Sequence, residues 1–363
     1  MRCAIIPPYV LARLAEAADA RTATGSTTAE AARQTLALDE RLRNRRPHRS
    51  RETSTAPRPT PDEQGDPGDQ QPRRRIRDAG TGTDLPGRLV RREGEAPTGD
   101  VTADEAYDGL GATHDLYDEA YGRDSLDGAG VPLRATVHYG VDYSNAFWDG
   151  TRMVFGDGDG DGEYFNRFTI SLDIIGHELA HGVTENTADL IYAGQSGALN
   201  ESMSDVFGSL VRQRNLGQAA DEADWLIGAG LFTARVQGTA LRSMRAPGTA
   251  YDDPVIGIDP QPGHLDDYVE TSEDGGVHIN SGIPNRAFHL AATAIGGNAW
   301  EAAGTIWYAV LTGDTISSDC DFATFAALTV AEATARFGDG SAEATAVAAA
   351  WARVGLVPAM AQP

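Results

Sequence analysis

The chain has 363 residues, and 53 acidic against 30 basic side chains give it a formal net charge of −23; every basic residue is arginine, with no lysine. Affinity for a phosphate backbone is built from Lys and Arg, and no apolar run approaches the roughly 20 residues of a membrane helix, so neither nucleic acid nor a membrane is an expected partner. With Cys3 and Cys320 as the only cysteines, a disulfide framework or a Cys-rich zinc ribbon is excluded, and any metal must be held by His and carboxylates.

At the start, a few apolar residues are broken by Pro7 and Pro8, short of the unbroken 7–15 of a secretory signal. The expectation is a chain that stays in the cytoplasm or is secreted by a route without a signal peptide. Positions 10–20 and 29–46 read as two short helices, marginal alone. From 45 to 75 the chain is Pro, Arg, Asp, Gln, Ser and Thr with almost nothing apolar to bury, which predicts a disordered, protease-sensitive linker. Residues 1–71 hold eleven Arg against ten Asp plus Glu, so the negative charge belongs to the remainder. They read as a detachable segment, or as an ordinary disordered tail.

Between 72 and 172, strand-like runs at 134–139 and 152–155 punctuated by Gly and Asp predict a β-rich lobe. Within it Asp157-Gly-Asp159-Gly-Asp161-Gly162 mimics half of a calcium loop. The twelfth position is Phe168 where a bidentate Glu is required, so a Gly-rich turn is the plainer reading. From 173 to 363 the pattern turns helical, at 173–185, 200–213, 285–296, 299–311, 322–337 and 342–354. The fold class is therefore α+β, a β-rich lobe followed by an α-helical one.

The decisive stretch is His177-Glu178-Leu179-Ala180-His181 on the first helix of that second lobe. Residues four apart share a face, so both histidines can address one metal ion. Glu178 sits beside that face, where a carboxylate can serve as base without competing as a ligand. Asn200-Glu201-Ser202-Met203-Ser204-Asp205 follows, with Glu201 and Asp205 again four apart. One carboxylate can complete a His₂Glu set with an open fourth position, as in a catalytic zinc site, while the other orients a histidine.

These two motifs resemble the thermolysin-like zinc metalloendopeptidases. Further segments extend the similarity from about residue 73 to the C-terminus: Tyr143-Ser144-Asn145-Ala146-Phe147-Trp148, Gly194-Gln195-Ser196-Gly197, Leu241-Arg242-Ser243-Met244 and Gly275-Gly276-Val277-His278-Ile279-Asn280. The resemblance implies a two-lobe fold with the active-site helix between the lobes. It implies a zinc ion on His177, His181 and Glu201, a zinc-bound water activated by Glu178, and an oxyanion stabilised by His278 and Tyr192. Asn145 and Ala146 would hold the substrate backbone and Arg242 a carbonyl, while Asp205 and Asn200 orient the histidines. A pocket of Phe165, Phe168, Ile174 and Leu241 would select a bulky apolar residue after the scissile bond.

Two departures stand out. Where the family has Asp then Asn before Gly275, this chain has Glu273 and Asp274, either of which could hold His278. Asp173 and Asp224 match a double calcium site, but Arg212, Leu226 and Ala229 replace other ligands, leaving at most one calcium ion. The N-terminal Cys3 to Leu11 resembles the short Pro-Pro propeptide of the protealysin-like branch, with Cys3 a possible thiolate for the zinc. The implied molecule is a monomeric proenzyme whose partners are peptide and protein substrates and its own propeptide. The alternative is a zinc-binding protein that has lost turnover and acts as a binding or inhibitory module.

Overall fold

The computed structural model describes residues 4–17, 27–44, 72–159, 162–270 and 275–357. The N-terminal segment forms two helices, α1 (Pro8–Ala17) and α2 (Thr27–Asn44). Proline at the first position of α1 costs nothing, because the N–H it lacks would be unpaired there. Neither helix stands alone: Val10, Leu11 and Leu14 of α1 and Ala32 of α2 are buried in the same core cluster as the rest of the chain.

The β-rich lobe is a five-stranded sheet in the order β2-β1-β3-β5-β4, made of β1 (Arg75–Asp78), β2 (Arg88–Arg92), β3 (Arg134–Val137), β4 (Ala146–Trp148) and β5 (Met153–Phe155). The β1–β3 and β3–β5 pairs are parallel and the two edge pairs antiparallel. Strand β4 is an edge, and Ala4 bridges to its Phe147 in antiparallel sense, so the N-terminal segment covers an edge that would otherwise present unpaired backbone groups. The expected linker ends earlier than 75: Arg74 is already paired with Glu93, and residues 45–71 lie outside the described residues.

The mostly β expectation for 72–172 needs one correction, the 21-residue helix α3 (Val101–Tyr121) that runs beneath the sheet. Its glycines hid it, and they are there for packing. A Cβ on Gly109 would stand 2.4 Å from Ile175 Cδ1 and one on Gly111 2.3 Å from an Arg74 guanidinium nitrogen. The caps were legible in principle, since Asp100 accepts from the Thr102 and Ala103 amides and Gly122 closes the helix at φ 65°.

The helical lobe comprises α4 (Leu172–Glu185), α5 (Gly194–Leu216), α6 (Gly275–Asn280), α7 (Gly282–Ile295), α8 (Ala302–Thr312), α9 (Phe322–Phe337) and α10 (Ala342–Arg353), with a small pair β6 (Leu226–Ile227) and β7 (Arg242–Ser243) beside α5. Trp307 and Trp351 stack at 6.1 Å in the Ala-rich end, and Trp351 Nε1 donates to Thr329 Oγ1 at 2.8 Å. Helix α5 starts at Gly194, earlier than the expected 200, so Glu201 lies two turns in. Interior placement removes the bland explanation of Glu201 as a solvated helix-start carboxylate.

Candidate metal centre and substrate cleft

Helices α4 and α5 cross on glycine. A Cβ on Gly208 would stand 2.3 Å from the Asp173 carbonyl oxygen and 2.9 Å from the His177 amide nitrogen, and one on Gly176 2.9 Å from Gly208 Cα. Only backbone against backbone lets the side chains of one helix bracket those of the other. Gly208→Ala is accordingly expected to cost about 1–3 kcal/mol through overpacking and to weaken metal retention with it. Chemical denaturation and metal content of the same preparation check both.

Across this crossing His177 Nε2 and His181 Nε2 stand 3.2 Å apart, and each is 3.6 Å from one oxygen of Glu201. Ligand atoms at bonds of about 2.0–2.1 Å around a tetrahedral ion are about 3.3–3.4 Å from one another, so the triangle fits zinc. Among the described residues it is the one group of three or more His, Cys, Asp or Glu side chains able to hold a metal. The far ring nitrogens are engaged: His177 Nδ1 with Asp205 Oδ1 and His181 Nδ1 with Asn200 Oδ1, both at 2.8 Å. Asn200 Nδ2 donates to the Leu190 carbonyl at 3.1 Å, which turns its oxygen toward His181. Rings that donate from Nδ1 present an Nε2 lone pair to the metal.

The charges agree with that role. Burial pushes His181 down to about 4 against the pull of Glu201, so the ring is neutral near pH 7. Burial would raise Glu201, but His278, His181 and His177 outweigh it and hold the carboxyl well below its usual range. Asp205 is likewise opposed by burial yet held at about 2 by Arg242 and His177. Arg242 grips it with Nε and Nη2 at 2.8 and 2.7 Å, and Asn285 Nδ2 adds a bond at 2.8 Å.

Glu178 lies fully buried beside the triangle. Its Oε2 accepts the Trp148 amide at 2.9 Å, while Oε1 has no hydrogen-bond partner among the described residues. Burial, then the charge of Glu201, keeps this carboxyl well above its usual value. Tyr192, in the turn between α4 and α5, donates to Glu201 Oε1 and lies 3.2 Å from His278 Nε2. Glu273 and Asp274, expected to hold His278, lie outside the described residues. Phe165, Phe168, Ile174 and Leu241 are all buried, in one cluster with Ile5.

At the edge strand, the N-terminal segment meets the residues expected to hold substrate. Ile5 N donates to the Ala146 carbonyl at 3.0 Å. Asn145 Oδ1 accepts Ile6 N at 2.9 Å and its Nδ2 donates to Ile6 O at 3.3 Å. Arg242 keeps Nη1 for the Ile5 carbonyl at 3.5 Å. Arg242 thus has two tasks where sequence suggested one. Asn285 and Gln261, whose Nε2 donates to the His278 carbonyl at 2.8 Å, were not foreseen; one reaches the site from the first turn of α7 and the other from an irregular segment, and neither follows a spacing that marks it.

Arg212 stands between the two residues expected to bind calcium. Its guanidinium pairs with Asp224 at 2.8 and 2.7 Å and lies 3.7 Å from Asp173. Asp173 spends its other oxygen on Ser171 and the Gly228 amide. In the Gly-rich loop, Asp159 accepts the amides of Glu163 and Tyr164 and Asp157 pairs with His138, the pattern of a turn. Cys3 and Asp161 lie outside the described residues.

A buried His₂Glu triangle between a sheet lobe and a helical lobe, with a carboxyl and a Tyr–His pair around it, is the arrangement of a zinc metallopeptidase. Residues 71–185 match the thermolysin metallopeptidase catalytic domain and residues 188–356 its alpha-helical domain, and the chain belongs to that family. It is 51% identical over 356 residues to "Extracellular metalloprotease" of Pectobacterium carotovorum subsp. carotovorum, covering 98% of this chain and 96% of that one. It is 53% identical over 286 residues to "Protease PrtS" of Photorhabdus sp. (strain Az29), covering 78% and 76%. Its fold matches the precursor of protealysin from Serratia proteamaculans with a TM-score of 0.83 and 52% identity, over 98% of this chain and 99% of that one. The chain is a zinc-dependent neutral endopeptidase, and nothing supports the alternative of a module without turnover.

Proposed function

We propose that this endopeptidase is a monomeric proenzyme whose residues 1–71 form a propeptide with Ile5 and Ile6 in its own cleft, and that it cuts on the amino side of bulky apolar residues. The observation that carries the reading is the Ile5–Ile6 backbone, bonded to Asn145, Ala146 and Arg242 as a bound substrate would be. Ile5 is itself a bulky apolar residue. His177, His181 and Glu201 would hold the zinc, which when bound would supply Lewis-acid chemistry. Glu178 takes a proton from the attacking water at Oε1 and returns it to the departing amine. Tyr192 Oη and His278 donate to the oxygen that becomes negative as the carbonyl is attacked, and Asp205 and Asn200 keep the two ring nitrogens aimed. Asn145 and Ala146 align the peptide, and Phe165, Phe168, Ile174 and Leu241 receive the side chain after the scissile bond. Relatives described as extracellular support the export branch of the localisation expectation.

The test follows casein hydrolysis and the N-terminus together. The purified zinc-loaded chain should gain chelator-sensitive activity as mass spectrometry shows its start moving into residues 45–75. A full-length chain already as active as one starting near Pro72 would overturn the inhibitory role of the segment.

A further inference from the structure

Residue 39 lies far along the chain from Ile5 and Ile6, yet it reaches the same rim of the cleft. Asp39 Oδ1 accepts the Tyr143 hydroxyl at 2.5 Å and Oδ2 accepts Asn145 Nδ2 at 2.9 Å. One turn before it, Thr35 Oγ1 accepts the Ser144 amide at 3.0 Å. All of these side chains are buried: Asp39 is 4% exposed, Tyr143 1%, Asn145 and Thr35 0%. Bringing a carboxylate out of water is costly unless donors meet it, and the lobe it enters is itself net negative. Long-range attraction therefore does not draw it there; the two donors do, one to each oxygen, in the two-pronged arrangement that suits a carboxylate. Burial first, and the Asp39 charge second, push the Tyr143 phenol well up, so it remains a donor.

We propose that Tyr143 Oη and Asn145 Nδ2 form a carboxylate-binding site at the rim of the cleft, whose ligand is the Asp39 side chain. The inference rests on the reading of residues 1–71 as a propeptide. It gives α2 an anchor separate from the Ile5–Ile6 backbone in the cleft. The two are joined through Asn145: with its Nδ2 turned toward Asp39, its Oδ1 faces Ile6 N at 2.9 Å and Ala146 N at 3.0 Å. Asp39 is thus a positioning residue for the side chain that grips the backbone in the cleft.

The test uses the full chain carrying Glu178→Gln, so that it cannot cut itself. Trypsin opens the Arg-containing stretch 45–71, and native mass spectrometry over a dilution series measures how tightly the N-terminal fragment is retained. Asp39→Asn, which keeps the shape but turns an amide N–H₂ toward a donor, is expected to weaken retention at least tenfold. Tyr143→Phe should do likewise, and the double variant should be little weaker than either single one, because both changes remove one contact. Should Tyr143→Phe fail to fold, Asp39→Asn alone decides. Unchanged retention in Asp39→Asn, or strictly additive losses, would overturn the carboxylate site while leaving the propeptide in place. A parent fragment that leaves freely would overturn the propeptide reading itself, and the site with it.

Discussion

Glu178→Gln is expected to lower peptidase activity by about 10²–10⁴, the usual effect of removing a positioned general base, while zinc content stays unchanged. The amide retains the shape of the side chain and can still accept the Trp148 amide with its oxygen. It cannot take a proton at the second position, where the native Oε1 has no hydrogen-bond partner among the described residues. The variant should therefore accumulate as the uncut chain if processing is self-catalysed. Zinc by atomic absorption and casein hydrolysis on one preparation give the answer. Activity lost in proportion to zinc would make Glu178 a ligand and sink its assignment as the base.

Glu201→Ala should release zinc altogether, since two histidine nitrogens 3.2 Å apart do not make the three-ligand set of a catalytic zinc. It also leaves the Tyr192 hydroxyl without its carboxylate acceptor. Asp205→Asn should act more mildly, weakening zinc binding by the roughly 10–100-fold typical of a lost outer partner. The alanine at 205 would be harsher than that range, because it strands the buried Arg242 guanidinium; breaking such a pair by removing one partner costs about 3–5 kcal/mol. Competition with a chromogenic chelator ranks the three variants. Glu201→Ala with full zinc content would refute the triangle.

The two predictions differ in how they were reached. That Glu178 stands beside the ligand face follows from helical periodicity applied to His177 and His181, and needs no coordinates. Arg242 as the clamp on Asp205 could not be reached that way, since 37 residues separate them and no short-range rule connects a strand residue with the interior of α5. The same contrast holds in the fold. Helix α9 was legible to the residue, Phe322–Phe337, because its apolar period and its Asp321 cap are local. Helix α3 was not, because Gly109 and Gly111 weaken local helix propensity and are explained only by Ile175 and Arg74, which the chain brings against them from elsewhere.

Calcium shows how one side chain changes a whole site. Arg212 was visible in the sequence as a lost ligand, but its guanidinium in contact with Asp224 and near Asp173 is a three-dimensional fact.

By itself the sequence determined the zinc ligand set and placed Glu178 beside it, because periodicity within a helix places residues four apart on one face whatever surrounds them. The tertiary structure alone decided which contacts the N-terminal segment makes beside that site. Ile5 and Ile6 against Asn145, Ala146 and Arg242, and Asp39 against Tyr143, are contacts across more than a hundred residues. Such contacts depend on the free edge of β4 and on the way α1 and α2 bury their apolar faces against the lobes, and the packing of the whole chain sets both.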